Sequence, residues 1–499
     1  MSVRNGSDYI DALGDDRAVY LDGERVRDIR VHPAFRRTVG SFARLYDFQA
    51  APENLELMTF DIGNGRRTNR AWKLPHSYAE LVERRRALEA WSSLNCGWLG
   101  RSPDHVASTL SAMVMGIDLF ERHGPARAKA VLDYYHHARE NDLFVSYVIQ
   151  NPQADRGKTA GEQKNKHLVA SVVDEDTAGI TVRGAKMLGT SSVMSDELFV
   201  ANIQPLGRGE EAYALSFALP IGSRGLTLMS RKSYEAEARS SFDYPLSANF
   251  DENDAIVYFD DVKVPWERVF VYRDTDMARA QWHDTPMHVY QNYQSQVRLM
   301  VKMRFLAGVA RRLAETSGLI DMPAVKTKLG ELSAEASMVE AFVLAMEAGG
   351  AGYGDYFLPS RSLLYAAQVK TQDMYPKAVA RLRDLAGGGV IMLPSSVRDF
   401  EDPYLRSIID ATQVSPVRDA TERVRLFRMA WDAVGSEFAS RHVQYEMFYS
   451  GASHITTANA YRTFDWGTAL HMVDDIEALQ GTPPLAQSAP AVPSLIASG

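Results

Sequence analysis

The sequence predicts an α+β protein with a helical N-terminal domain, a middle antiparallel β-barrel or sandwich, and a C-terminal helical bundle. Helical periodicity dominates at first, short alternating apolar runs follow, and long apolar stripes at helical spacing then return. We therefore place the domains at 1–150, 151–280 and 281–480. The Pro-, Ala- and Ser-rich segment 481–499 is predicted to be a disordered tail.

In the N-terminal part, residues 35–48 and 77–99 each place large apolar side chains on one helical stripe. Ser102-Pro103-Asp104 predicts another helix start. Proline is tolerated in a first turn, and an acidic side chain stabilises the positive end of the helix dipole. Gly124-Pro125 then breaks the chain before a further helix.

The middle and C-terminal parts differ in period. Strand-like alternation occurs at 168–172, 180–187, 197–203, 213–219, 226–230 and 255–264, a spacing typical of a small barrel or sandwich. Single long helices are predicted over 297–313, 326–347, 361–379 and 421–449, and helices with such apolar faces pack as a bundle.

The composition excludes several functional classes. A net charge of −8 argues against a nucleic-acid partner, and no apolar run reaches the roughly 18 residues of a membrane span. The one cysteine, Cys96, cannot build a disulfide framework, a cysteine zinc site or an iron–sulfur cluster. The polar N-terminus has no signal-peptide pattern, so a cytoplasmic protein is expected.

Motifs for common nucleotide and metal sites are absent. No G-x-G-x-x-G follows a strand, and the sequence has no Walker A motif, no G-x-S-x-G elbow and no H-E-x-x-H. The histidines do not fall at metal-ligand spacing, so no metal is predicted. An enzyme-sized chain of this kind suggests a cofactor held between domains.

Several short motifs occur in the order of one enzyme family. They are Asp22-Gly23-Glu24-Arg25, His32-Pro33-Ala34-Phe35, Gly100-Arg101-Ser102-Pro103-Asp104, Asn151-Pro152-Gln153, Gly184-Ala185-Lys186-Met187 and Ser440-Arg441-His442. Over most of its length the chain resembles the 4-hydroxyphenylacetate 3-monooxygenase family. That resemblance implies an acyl-CoA dehydrogenase-like architecture, and the run from Phe259 to Val269 resembles the end of its middle domain.

The resemblance implies the oxygenase component of a two-component flavin-dependent monooxygenase. Such a component receives reduced FAD from a separate NAD(P)H:flavin reductase, forms a C4a-hydroperoxyflavin with O2 and hydroxylates a phenol. A homotetramer is implied, and FMN in place of FAD stays open. The alternatives are an acyl-CoA dehydrogenase-like flavoprotein and a 4-hydroxybutyryl-CoA dehydratase-like lyase, although the lyase needs several cysteines for its cluster.

A flavin requires hydrogen bonds along its isoalloxazine edge and a dry cavity. Two structural alternatives stay open: Asp155-Arg156 as a linker ion pair, and a strand-end hydroxyl of Thr190 that bonds its own turn. The residues that the resemblance implies as flavin contacts are Gln153, Ala154, Asp155, Arg156, Thr190, Gly451, Ala452, Ser453 and His454.

Arg101 and His288 are the predicted catalytic and substrate-binding pair. A phenol with a pKa near 10 must lose its proton to become a good ring nucleophile. A guanidinium stabilises the phenolate, and a histidine can accept the proton. The structural alternatives are a salt bridge from Arg101 to Asp104 and a hydrogen-bonded interdomain histidine at His288.

His105 and Tyr147 are predicted substrate contacts that depart from the family pattern. The hydroxyphenylacetate enzymes resembled here carry tyrosine where His105 aligns and histidine where Tyr147 aligns. This exchange favours a halo- or nitrophenol over hydroxyphenylacetate. Arg441 is predicted to add a second positive group to the pocket or, alternatively, to be a surface charge. The position of attack, and whether a leaving group is eliminated, stay open.

Overall fold

The structure is a computed structural model that describes residues 3–480, so the predicted tail 481–499 lies outside the described residues. The first part contains two β-hairpins, β1 Ala18–Leu21 with β2 Glu24–Val26 and β3 Thr59–Gly63 with β4 Arg66–Asn69. Its helices are α1 Gly6–Ala12, α2 Arg36–Ala50, α3 Leu55–Met58, α4 Tyr78–Leu94, α5 Pro103–Met115, α6 Ile117–His123 and α7 Pro125–Glu140.

The strands that follow form two sheets, of order β2-β1-β10-β11-β7-β6 and β12-β9-β8-β5. They are β5 Val145–Val148, β6 Ser171–Asp176, β7 Gly179–Thr190, β8 Glu197–Ala201, β9 Leu215–Pro220, β10 Leu226–Ser230, β11 Asp254–Pro265 and β12 Val269–Tyr272, with short helices α8 Tyr234–Glu237 and α9 Ser247–Phe250.

Most neighbouring strands are antiparallel, as predicted, but β1 pairs with β10 and β5 with β8 in parallel. Both exceptions bring in a strand from before residue 151. The β1–β2 hairpin extends the larger sheet, and β5 is an edge strand of the smaller one. Inward-facing side chains such as Val182, Phe217 and Val257 are fully buried and form the core.

The C-terminal part is a helical bundle with one short hairpin, β13 Ala351–Tyr353 and β14 Tyr356–Leu358. Its helices are α10 Thr275–His283, α11 Met287–Thr316, α12 Pro323–Ala348, α13 Arg361–Ala386, α14 Pro403–Thr412, α15 Ala420–Val434, α16 Glu437–Phe448, α17 Ser453–Thr463 and α18 Trp466–Gln480. This element order confirms the predicted fold class. The central helix α11 packs against α5, α12 and α13.

Two predicted helix boundaries were wrong in ways that matter for the site. The segment 421–449 is two helices, because Gly435 ends α15 and the Ser436 side chain caps α16 by accepting a hydrogen bond from the Ala439 N–H. Helix α11 begins at Met287, ten residues earlier than predicted, and so places His288 in its first turn.

The last described helix, α18, differs from the rest because none of its residues is buried. Trp466, Leu470, Val473, Ile476 and Leu479 are all exposed. Across residues 3–480, no helix combines the length and apolar character required to cross a bilayer.

Candidate active site

Arg101 lies just before α5 with its side chain buried. Its guanidinium carbon is 5.2 Å from the ring centre of Tyr147 and 5.1 Å from that of Tyr445. The Nη1 atom is buried, and no other described residue hydrogen-bonds to it. An unpaired buried donor is costly. This N–H group is therefore suited to donate a hydrogen bond to an oxygen atom of a ligand.

Asp104 does not pair with Arg101. Its carboxylate instead accepts hydrogen bonds from the Ser102 hydroxyl and, at 3.2 Å, from the Gln294 Nε2. The predicted helix start at Ser102-Pro103-Asp104 is confirmed. The structural alternative of a salt bridge at Arg101 therefore has no support in the geometry.

His105 lies in the first turn of α5 and is almost fully buried. Its ring stacks on Tyr147 at a centroid distance of 5.3 Å and an angle of 24°. The Nδ1 atom is 2.9 Å from the Gln294 Oε1, whereas the Nε2 atom is buried without a partner in residues 3–480. Burial, and then the charge of Arg101, hold the pKa of His105 well below its usual value, so the ring is neutral.

Arg101, His105 and Tyr147 form what we call the substrate cluster. Tyr147 lies on β5, His105 lies in the first turn of α5, and Arg101 lies just before that helix. The ring of Tyr147 contacts the guanidinium of Arg101 and the imidazole of His105. The structure thus brings together three of the five predicted substrate residues.

His288 lies elsewhere in the bundle. Its ring neighbours are His283 and Tyr365, each with a centroid distance of 5.5 Å. On α11 it precedes Gln294 by six residues, which corresponds to about 9 Å along the helix axis. Burial lowers the pKa of His288 to about 3. None of its described hydrogen bonds or ring contacts reaches Arg101, His105 or Tyr147.

Arg441 is buried in an ion-pair network. Its Nη2 is 2.6 Å from an oxygen of Asp254, and its Nη1 is 2.7 Å from an oxygen of Glu252. Glu252 also accepts the backbone N–H of Arg101 at 2.8 Å, and Asp254 accepts the Thr190 hydroxyl at 2.6 Å. The charge of Arg441 is thus already paired, and the network joins Thr190 to Arg101.

Burial alone would raise the pKa of Asp254, but Arg441 and Arg231 outweigh it and hold that pKa well below its usual range. Asp254 is therefore ionised at neutral pH. Two guanidinium groups thus share this largely buried carboxylate, and loss of either one would remove part of the charge that balances it. The network thus holds the Arg101 backbone N–H and the Thr190 hydroxyl.

Tyr445 is a residue of the site that the sequence did not single out. Its ring centre lies 5.1 Å from the guanidinium of Arg101, 5.4 Å from that of Arg298 and 4.9 Å from that of Arg441. A Cβ on Gly100 would lie 2.6 Å from the Tyr445 hydroxyl oxygen, so a larger residue before Arg101 would require the Tyr445 ring to shift. On sequence, Tyr445 fits the apolar stripe of a helix and carries no distinct signal.

The loop that contains Gln153, Ala154, Asp155 and Arg156 is anchored at its start and then becomes exposed. The Met187 N–H of β7 donates to the Gln150 carbonyl at 2.9 Å. Lys186 is fully buried and donates to Asn151 at 2.7 Å and to Asn202 at 3.0 Å. Asp155 contacts Lys158 at 3.3 Å rather than Arg156, so the Asp155–Arg156 ion pair is not formed.

The end of β7 has features that fit a flavin. Leu188 has a φ of 59° at an irregularity in the β7–β11 pairing, and its side chain is 51% exposed although it is apolar. Close by, the Ser191 hydroxyl is buried without a partner in the described chain. An exposed apolar side chain beside strand-end hydroxyls matches the face and the polar edge of a planar ring system.

The remaining predicted flavin contacts, Gly451, Ala452, Ser453 and His454, form the turn into α17. Gly451 has a φ of 109°, and its carbonyl accepts the Gln372 Nε2 at 2.8 Å. Ser453 and His454 are exposed. Among residues 3–480, no hydrogen bond or ion pair joins this turn to the 153–156 loop.

Two family models together match nearly all of the described chain. One, described as 4-hydroxyphenylacetate 3-hydroxylase N terminal, matches residues 5–271, and its C-terminal counterpart matches residues 278–477. The chain belongs to this family. The predicted resemblance is confirmed, and so is the predicted enzyme class, an FAD-dependent monooxygenase.

Relatives of the 4-hydroxyphenylacetate 3-hydroxylase family differ in the substrates they are named for. A 4-hydroxyphenylacetate 3-monooxygenase oxygenase component of Pseudomonas aeruginosa is 34% identical over 466 residues, which cover 92% of this chain and 88% of the relative. A 4-nitrophenol 2-monooxygenase oxygenase component of a Rhodococcus species is 36% identical over 485 residues, covering 93% and 90%.

The crystal structure of HpaB, the oxygenase component of 4-hydroxyphenylacetate 3-monooxygenase, complexed with FAD and 4-hydroxyphenylacetate shares the fold. It superposes with a TM-score of 0.91 at 31% identity and covers 96% of this chain and 99% of its own. The N-terminal family model, over residues 5–271, includes all three residues of the substrate cluster.

Proposed function

We propose that this chain is the oxygenase component of a two-component system that hydroxylates a phenolic ring, with halo- and nitrophenols as preferred substrates. Reduced FAD comes from a separate NAD(P)H:flavin reductase, and O2 is the co-substrate. The observation that carries the proposal is the buried, unpaired Nη1 of Arg101, beside the neutral ring of His105 and the face of Tyr147.

Arg101 binds and orients the phenol oxygen. A guanidinium next to that oxygen favours the phenolate, which is the form that reacts with an electrophilic oxygen atom. The flavin, when bound in its reduced form, supplies this activated oxygen from O2. The burial of Arg101, His105 and Tyr147 keeps water from the phenolate and strengthens the attraction of its charge to Arg101.

The network of Arg441, Glu252 and Asp254 sets the distance between the two halves of the site. Glu252 holds the backbone of Arg101, and Asp254 holds the hydroxyl of Thr190. Since Thr190 is a proposed contact of the flavin edge, this network acts through other residues and contacts neither ligand itself. Arg441 is therefore a positioning residue in the proposal.

The preference for acidic phenols follows from the residues at 105 and 147. The histidine and tyrosine positions of the hydroxyphenylacetate enzymes are exchanged here, and the nitrophenol-oxidising relative from Rhodococcus supports a substrate of that class. Halo- and nitrophenols ionise more readily than alkyl phenols and so need less help to reach the phenolate. Loss of the halide or nitro group during the reaction stays a prediction.

A homotetramer is part of the proposal. The exposed apolar side chains of α18 support contact between copies, because large exposed apolar patches mark interaction sites. The turn 451–454 and the loop 153–156 are not joined within one chain, which is consistent with flavin pockets shared between copies. The boundaries 1–150, 151–280 and 281–480, the cytoplasmic location and the use of FMN remain predictions.

The test mixes the purified chain with reduced FAD, O2 and a panel of phenols that includes 4-nitrophenol, 4-chlorophenol and 4-hydroxyphenylacetate. We expect ¹⁸O from ¹⁸O2 to appear in an aromatic product, with the halo- and nitrophenols turned over fastest. Failure to oxygenate any phenol while reduced FAD binds would overturn the proposal. Turnover of hydroxyphenylacetate alone would overturn only the substrate preference.

A further inference from the structure

We propose that His105, rather than His288, accepts the proton of the phenol, through its Nε2 atom, and that Gln294 fixes the tautomer required for this step. The inference rests on the function proposed above. It concerns the histidine that this chain carries at a position where the hydroxyphenylacetate enzymes carry tyrosine.

The tautomer of His105 follows from two hydrogen bonds. The Gln294 amide nitrogen donates to the Asp104 carboxylate at 3.2 Å, and this bond turns the amide oxygen toward His105. The oxygen lies 2.9 Å from the His105 Nδ1. An amide oxygen can only accept, so the Nδ1 must carry the hydrogen and the Nε2 must carry a lone pair.

Two complementary atoms are thus buried without partners around one ring. The Nε2 of His105 is an acceptor and the Nη1 of Arg101 is a donor, and neither has a partner among the described residues. Their side chains contact the same Tyr147 ring, at 5.3 Å for the imidazole and 5.2 Å for the guanidinium. A phenol hydroxyl between them would donate to one and accept from the other.

The step is a simple proton transfer. The O–H bond of the phenol breaks, a new N–H bond forms at the His105 Nε2, and the electron pair stays on the phenolate oxygen beside Arg101. The imidazolium that results keeps its hydrogen bond from Nδ1 to Gln294, which itself is held by Asp104. No oxidant is consumed before the oxygen transfer itself.

The groups around His105 favour its protonation only when a phenol is bound. Arg101 precedes it on the chain, Asp104 is its neighbour on α5, Gln294 faces it from α11 and Tyr147 from β5. The positive charge of Arg101 opposes an imidazolium while the pocket is empty, so His105 stays neutral until a phenolate charge forms nearby. His288 also has a buried Nδ1 without a partner among the described residues, but its ring neighbours are His283 and Tyr365.

The experiment measures the oxygenation rate of His105→Gln on para-substituted phenols of similar size and different acidity, from 4-methylphenol to 4-nitrophenol. An enzyme without its base should lose about 100-fold or more with the weakly acidic 4-methylphenol. It should lose only a few-fold with 4-nitrophenol, which is largely ionised at neutral pH. Raising the pH should restore the rate with the weak acids.

His105→Phe keeps the ring on Tyr147 and should show the same dependence on acidity. Gln294→Leu should show a weaker dependence on phenol acidity and a shifted pH profile. In this variant the base is still present, but either ring nitrogen of His105 can carry the hydrogen. His288→Gln is the matched control, and any loss it causes should be equal across the panel. Affinity for reduced FAD, measured for each variant, verifies that the fold and the cofactor site are intact.

Two results overturn the inference. An equal loss across the panel in His105→Gln would make His105 a packing residue, and a loss graded by acidity in His288→Gln would make His288 the base. In both cases the wild-type chain still oxygenates phenols. A wild-type chain that oxygenates none of them defeats the proposed function itself, so the two failures are distinguishable.

Discussion

The substrate cluster and the predicted flavin contacts are built in opposite ways. Arg101, His105 and Tyr147 are buried and contact one another within a single chain. The residues 153–156 and 453–454 are exposed. A site for a small phenol can form within one folded chain. A large cofactor instead binds to residues that are exposed before it arrives.

The difference has an energetic side. The substrate cluster keeps two buried polar atoms without partners, and each lowers the unfolding free energy by roughly 1–3 kcal/mol. The packing of the surrounding fold must compensate for this loss. The loop 153–156, the predicted flavin contact, carries no such cost, since water satisfies its exposed groups. Substitutions in the first region should therefore change stability and substrate affinity, and those in the second should change cofactor affinity alone.

Replacement of Arg441 by alanine tests the connection between the regions and should have the largest effect. It leaves the buried Glu252 without its ion-pair partner and Asp254 with one guanidinium instead of two, and we expect a loss of about 3–5 kcal/mol in unfolding free energy. Urea denaturation measures it. Arg406→Ala, which removes an exposed pair with Asp410, is the control and should leave the unfolding free energy nearly unchanged. Equal costs for the two variants would refute a connecting role.

Replacement of Arg101 by alanine tests the substrate region alone. The lost hydrogen bond to a charged oxygen should cost about 1.5–3 kcal/mol, which corresponds to a phenol Kd roughly 10- to 100-fold higher. Equilibrium titration of the phenol measures it, and affinity for reduced FAD should stay within about twofold. If the phenol Kd does not change, Arg101 is not part of the pocket.

Lys186 anchors the segment that leads into the loop 153–156, and its contribution to the unfolding free energy should depend on pH. Burial lowers the pKa of its ammonium to about 7. Above pH 7 and below the unfolded pKa near 10.4, the unfolded chain binds one more proton, so this group makes stability rise with pH. Relative to Lys186→Met, the wild-type unfolding free energy should gain about 1.4 kcal/mol per pH unit between pH 7.5 and 9. A constant difference between the two proteins would show that Lys186 stays charged.

Replacement of Arg156 by alanine should give the smallest effect and tests the flavin region alone. Arg156 is exposed, so stability should change by less than about 0.5 kcal/mol. A rim charge near an anionic cofactor contributes about 0.2–1 kcal/mol, and the Kd for reduced FAD should rise by up to about fivefold. Lys164→Ala, in the same loop, is the matched control. If both variants bind reduced FAD like the wild type, the loop does not meet the cofactor.

The order of helices and strands could be predicted from the sequence because periodicity depends on residues that are close in the chain. The strand over 226–230 and the helix start at Pro103 were placed correctly for this reason. The parallel pairing of β1 with β10 could not be foreseen, since it joins strands more than 200 residues apart. Local patterns carry no information about such partners.

The candidate site shows the same limit. Arg101, His105 and Tyr147 were chosen from motifs and from departures from a pattern, and the structure brings them together. Gln294 and Tyr445 escaped notice because a glutamine or tyrosine on a buried helix has no local signature. His288 has a suggestive sequence context, but the early start of α11 carries it about two helical turns from Gln294.

Helix α18 spans 15 residues and buries none of them. A helix of that length is marginal in water unless something packs against it. The proposed contact between copies would supply that packing, and the order of α18 would then depend on mass action rather than on the core of its own chain. We expect dilution to unwind this segment while the rest of the fold persists, so the helical signal of the protein should depend on its concentration.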